Sequence, residues 1–314
     1  MSAVRFAHLL AVAVVAAGSS SMLLRAQAGL ETLPAQGNVY ALMSSTGNTT
    51  VQIGPEGPLV VDTQPAASSD QVLAAIRRLT PRPIRHIVLT SGDAQAAGGA
   101  ASLSKAGRYV RVIDSIDPRG GDTRASIIAQ LNVLNRMNAA HEPTASWPTD
   151  TYLTPEWSLF SNGEAVQFLH APAAHTDGDT IVFFRRSDVI STGAVFDATA
   201  YPRFDPAGGG SIDGIIEALN RVIDIAIPGE NQEGGTVIVP GRGRLSDETD
   251  VANYRDMVTI VRDRVRAMAK QGLTVDQVKR ARPTADYDGL YATGEWTADQ
   301  FVELVYRSVS GEGR

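Results

Sequence analysis

Apolar and polar positions alternate in short runs at the start of the chain: Val39 to Met43, Thr49 to Ile53 and Pro58 to Asp62. The polar or Gly/Pro turns SSTGN and GPEG separate them, a pattern that predicts an antiparallel meander. The period then lengthens. Val72, Ile76 and Leu79 recur at helical spacing behind Ser68-Ser69-Asp70-Gln71, a Ser-x-x-Gln capping box. A strand over Ile84 to Leu89, a short strand over Tyr109 to Ile113 and a helix over Arg124 to Met137, carried by Ile127, Ile128, Leu131 and Leu134, are predicted next. Pro143 to Pro155, rich in Pro and Thr, reads as a linker.

Beyond it the short period returns in four close runs: Glu156 to Phe160, Ala165 to His170, Thr180 to Phe184 and Val189 to Ser191. Asn162-Gly163 between the first two is a hairpin turn signal. Gly208-Gly209-Gly210 leads into a helix over Ile212 to Ile225, and a strand over Thr236 to Val239 runs into Pro240-Gly241-Arg242-Gly243. The rest is helical: Asp250 to Lys270, a short helix capped by Thr274 and Gln277, and a last one capped by Thr297 and Gln300. Two β-rich halves, each followed by helix, predict an α/β fold of four layers, an αββα sandwich over 29–243, with a helical C-terminal extension over 244–314 packed on it.

Composition narrows the function. The chain has 314 residues, 43% of them hydrophobic, enough for a full core. Its net charge of −6 and lack of any Lys/Arg run argue against nucleic-acid partners. The absence of cysteine excludes disulfides, thiolate metal sites and a Cys nucleophile. At the N-terminus Arg5 precedes the apolar run Leu9 to Ala17, and Ala26-Gln27-Ala28 supplies a small-x-small cleavage pattern. Residues 1–28 therefore read as an export signal, with the mature protein beginning near Gly29 in the periplasm or outside the cell, free of the membrane.

The stretch Leu89 to Ala100, LTSGDAQAAGGA, has the punctuation of a strand-to-helix binding loop but short, mostly inert side chains. Together with Pro58-Leu59-Val60-Val61-Asp62-Thr63, His175-Thr176-Asp177-Gly178-Asp179-Thr180, Ser191-Thr192-Gly193 and Pro240-Gly241-Arg242-Gly243, it resembles the metallo-β-lactamase-fold superfamily of metallohydrolases. The tail, with Tyr254-Arg255-Asp256-Met257 and Asp286-Tyr287-Asp288, resembles an exported bacterial branch of it.

The resemblance implies a dinuclear zinc site, but the ligands have changed. Anchored on Gly98-Gly99, the family's His-x-His-x-Asp-His positions fall on Ser91, Asp93, Gln95 and Ala96. The ligand before Thr-x-Gly is retained as His175, the bridging Asp falls on Ala194, and the last His falls on Arg242. Asp62 matches a carboxylate that braces the following loop from behind the metal. Only His175 and Asp93 remain as candidate metal ligands. Arg242 adds a permanent cation with no lone pair, which repels a metal ion and is expected to pair with Asp93.

Plainer readings accompany each residue. His175 and His170 are explained by hydrogen bonding and packing, Asp177 and Asp179 by turns, and Gly98-Gly99 by close packing or by an anion at a helix start. His86 and His141 carry no assigned role, and Ser91 lacks the Gly-x-Ser-x-Gly elbow of a nucleophile. Tyr287 and Trp296 pack the extension or edge a pocket.

Three functions follow. The first is an inactive pseudoenzyme, needing no cofactor, whose cleft binds a small anionic molecule or a protein partner. The second is a zinc-dependent hydrolase with a reconfigured single-metal site, or one that works by metal-free acid/base chemistry. The third is a purely structural exported domain or subunit.

Overall fold

The computed structural model describes residues 29–108 and 123–311. The expected export signal over 1–28 and the expected strand Tyr109–Ile113 lie outside the described residues.

Four antiparallel strands open the chain: β1 (Glu31–Gln36), β2 (Val39–Ser44), β3 (Gly47–Gln52) and β4 (Leu59–Val61). The sheet continues in parallel through β5 (His86–Val88), β6 (Ser126–Gln130) and β7 (Asp150–Tyr152). Its crossovers carry α1 (Ser69–Leu79), α2 (Ala94–Ala97), α3 (Ala100–Ala106) and α4 (Leu131–Ala139). A second sheet holds β8 (Glu156–Ser161), β9 (Glu164–Ala171), β10 (Asp179–Phe184) and β11 (Val189–Ser191), all antiparallel. After α5 (Ile212–Ile225), β12 (Val237–Val239) joins β11 in parallel. The order is β1 to β7 in one sheet and β12-β11-β10-β9-β8 in the other.

Alternation along the strands builds the layers. Leu59, Val61, Phe168, Val182 and Phe184 meet between the sheets. Val60, Ile87 and Ile127 face α1, α3 and α4. Ile181, Phe183 and Ile190 face α5 and the C-terminal helices α6 (Glu248–Lys270), α7 (Val275–Ala281) and α9 (Ala298–Ser310), with α8 (Asp288–Tyr291) between the last two. The result is the four-layer αββα sandwich with a helical extension on its outer face.

Three sequence expectations are corrected. The helix expected over Arg124–Met137 is a strand, β6, that turns into α4 only at Leu131, where the Gln130 side chain caps Asn132 N. All five β6 residues are buried, and a strand covered on both faces loses the alternation that distinguishes it from a helix. The Pro143–Pro155 linker contains β7, whose three residues are too few to show a period; it is fixed by Tyr152, buried and joined through Oη to Thr180 Oγ1 at 2.6 Å. The Ser68/Gln71 capping box does not form, because a 3₁₀ turn over Ala66–Ser68 already holds Ser68 in helical geometry and its side chain caps nothing. The boxes at Thr274 and Thr297 do form, and Asn162 and Gly163 take the positive φ values, 52° and 88°, of their turn.

Candidate functional site

Both sheets bring chain segments to one end of the sandwich. Asp62 follows β4, Ser91, Asp93 and Gln95 follow β5, His175 lies in the β9–β10 turn, Gly193 and Ala194 follow β11, and Gly241 follows β12. Loops at strand ends are where such folds place ligands. Here they line a solvent-open cleft that also takes in Ala96. Seven of the eight residues singled out from sequence therefore converge; Arg242 does not line the cleft, and its neighbour Gly241 does.

The cleft floor is braced by backbone geometry. Asp62 sits in left-handed conformation (φ 60°), buried, its Oδ1 accepting from Thr90 N (2.8 Å) and its Oδ2 from Thr90 Oγ1 (2.7 Å). Burial pushes the Asp62 carboxyl up to about 7 despite these bonds. Gly193 (φ 52°) must be glycine, since a Cβ there would lie 2.1 Å from Thr90 Oγ1. Thr63 N and Oγ1 both donate to Ala96 O, and Cβ atoms at Gly98 and Gly99 would strike backbone oxygens, so close packing accounts for that glycine pair.

The His175 turn is held from behind. Asp179 accepts from Thr176 N and Oγ1, and burial raises its carboxyl to about 6. Arg136 of α4 donates from Nε to Asp177 Oδ1 at 2.8 Å and also bonds Gly208 O. His170 Nε2 bonds Asp177 O at 2.8 Å, the hydrogen-bonding alternative of the two roles expected of it. A Cβ on Gly210 would meet His175 O at 2.1 Å and one on Gly214 would meet Ala173 O at 1.8 Å, so the two glycines let α5 butt directly against this turn.

His175 Nδ1 comes within 3.2 Å of Asp93 Oδ2, an ion-pair distance, yet the groups are not aligned for a hydrogen bond and the nitrogen makes no other. Asp93 thus takes His175 as its partner, which corrects the expected Arg242–Asp93 pair: no ion pair joins Arg242 to it, and Arg242 Nε is buried without an acceptor. Ser91 Oγ donates to Asp93 Oδ2 at 3.2 Å. The order is serine, aspartate, histidine, so the hydroxyl faces a carboxylate and not an imidazole, unlike the serine, histidine, aspartate order of a nucleophilic triad.

Sequence patterning missed several wall residues. Asn48, in the β2–β3 hairpin, donates through Nδ2 to Pro240 O and Gly243 O, both at 2.9 Å, and its Oδ1 is left unpaired. Phe196, Asp197 and Arg203 complete the wall. All four stand outside the motif positions; closeness in sequence to the Gly193 turn could have drawn attention to Phe196 and Asp197, and nothing to Asn48 or Arg203.

Among the described residues, no three His, Cys, Asp or Glu side chains come together as a metal centre would require. Asp93 and His175 are adjacent, but both Asp62 oxygens are engaged by Thr90, and Ala96 and Ala194 offer no donor. The side chains present do not fit a hydrolytic zinc site, which takes three protein ligands and one open position.

A family model described as the metallo-beta-lactamase superfamily matches residues 45–250. No curated protein matches the chain in sequence. Among solved structures, the inverting sec-alkylsulfatase Pisa1 from Pseudomonas sp. superposes with a TM-score of 0.64 at 13% identity, over 89% of this chain and 50% of its own. The chain thus spans half the length of that enzyme. A metallo-beta-lactamase from Pontibacter korlensis (TM-score 0.55, 14% identity, 73% of this chain and 99% of its own) and the DIM-1 metallo-beta-lactamase (0.55, 14%, 74% and 97%) share the same fold.

Proposed function

The chain belongs to the metallo-β-lactamase superfamily, and from that membership we propose that it is a catalytically inactive relative of the zinc hydrolases that retains the cleft for binding. The donor set carries this reading: a hydrolytic site needs three ligands to hold zinc and lower the pKa of its water, and here two stand together. The occupant is a small anionic molecule or a partner protein, received where a substrate would sit. The mature protein, from Gly29, acts in the periplasm or outside the cell, with 29–243 as the binding domain and 244–314 as its extension.

The test is metal content. Residues 29–314, purified without a His-tag, incubated with zinc and desalted, are expected to hold almost none by elemental mass spectrometry while folded. One or two equivalents, lost on His175→Ala, would overturn the proposal in favour of a single-metal hydrolase. The 3.2 Å approach of His175 to Asp93 is the observation on that reading's side. Export is tested by sequencing the N-terminus of the fractionated protein; a cytosolic chain retaining Met1 would refute it.

A further inference from the structure

The cleft wall carries a cation outside every motif. Arg203 lies with its guanidinium 4.5 Å from the centre of the Trp296 ring. Stacked this way, a guanidinium has one face covered by the indole and keeps its N–H edge for hydrogen bonding. Arg203 makes no hydrogen bond or ion pair with any described residue; Asp197 and Glu295 act on it through space without closing to contact. Arg242 is a second guanidinium within Coulombic reach of Arg203, and it too has no ion pair among the described residues. Two guanidiniums with no ion pair among the described residues are stabilised by an anion that reaches both fields.

The acidic groups of the cleft are each held by a neighbour other than the two arginines. Asp62 is committed to Thr90, Asp93 to His175, and Asp197 accepts from Thr199 N and Oγ1 at 2.8 and 2.6 Å. The same cleft is also lined by apolar groups, Ala96, Ala194 and the buried Phe196. Resting on the reading of the cleft as a zinc-free binding site, we infer that Arg203 is its recognition residue for an oxyanion, a carboxylate or phosphate monoester on an apolar body, and that Trp296 positions it. Trp296 lies beyond the family match at 45–250, so the C-terminal extension positions a recognition residue that the shared scaffold carries.

Calorimetric titration of residues 29–314, zinc-free after desalting, with benzoate, phenyl phosphate, inorganic phosphate and benzylammonium tests the inference. At least one aryl anion is expected to bind saturably and to change tryptophan fluorescence, with benzylammonium at least about tenfold weaker. Benzoate against phenyl phosphate separates the two oxyanion sources. Arg203→Gln is expected to weaken the aryl anion at least about tenfold, and Trp296→Leu to do the same and abolish the fluorescence change, with the urea midpoint within about 0.3 M of wild type. Trp296→Phe, which keeps an aromatic face, is expected to retain affinity within about threefold. Benzylammonium binding as tightly as the anions, unchanged affinity in Arg203→Gln, or no anion bound up to about 10 mM would each overturn the inference. Zinc retained and lost on His175→Ala would instead fail the underlying reading of the cleft.

Discussion

Replacing Asp62 by Asn should make the protein more resistant to rising pH. The Asp62 carboxyl is raised from 3.8 to about 7, first by burial, with Asp93 and Asp179 adding like charge. Between those two values the folded chain keeps a proton that the unfolded chain has released, so stability falls as pH rises and the full penalty is present above about 7. At about 1.4 kcal/mol per pH unit, the penalty grows by roughly 2–3 kcal/mol between pH 5 and pH 8. Asn cannot ionise, yet its amide oxygen can still accept from Thr90 N. The variant's stability relative to wild type should therefore improve by that amount over the same interval. In urea unfolding this is a midpoint difference of about 1 M, for a slope near 3 kcal/mol per M. His86 works in the opposite sense: burial and the neighbouring Arg85 lower it to about 4, so its contribution to stability is present above about 6.5 and is lost as pH falls toward 4. Since His86 is common to both proteins it cancels in the comparison, which the wild-type profile alone would not allow. Equal destabilisation of Asp62→Asn at pH 5 and pH 8 would refute the reasoning and make Asp62 an ionised brace.

Glu164 is buried and accepts from Gln52 Nε2 and Ser187 Oγ at 2.7 Å and from Arg186 N and Ser187 N at 2.9 Å; Glu164→Leu strands the two backbone donors, while Gln52 Nε2 and Ser187 Oγ keep Ser161 O and Asn38 Oδ1, and should cost about 2–4 kcal/mol in urea unfolding. Gly214→Ala should lower stability by about 2–3 kcal/mol by thermal unfolding through its clash with Ala173 O, while Gly289→Ala, with open space around it, should stay within about 0.5 kcal/mol. Combining Ser91→His, Asp93→His, Gln95→Asp, Ala96→His, Ala194→Asp and Arg242→His should create a zinc site, read by elemental analysis; a folded variant that takes up no zinc would show that the loop is misaligned with the family pattern.

Where residues repeat a period or a turn chemistry over several positions, the fold was legible: the opening meander, α5, the Asn162-Gly163 hairpin and the two Thr-capped helices all stand where the pattern puts them. It failed where burial erased the period, as at Ile127-Ile128 in β6, or where an element was too short to have one, as at β7. The cleft was legible through its turns, since Gly98, Gly193 and Gly241 each permit a backbone approach that a side chain would block. Its wall was not. Asn48 comes from a hairpin nearly two hundred positions from the carbonyls it holds, and Arg203 owes its place to an aromatic ring in a different segment, contacts that only the folded chain defines.

The abutment of α5 on the His175 turn has a consequence for how such a cleft can change. Gly210 and Gly214 secure the turn through main-chain atoms on its rear side, a support indifferent to which side chains point forward. Substitutions at the front are therefore expected to alter chemistry without loosening the frame. The same separation of supporting and chemical positions means that a change of chemistry in this cleft is a matter of side chains alone, with the frame behind the turn left in place.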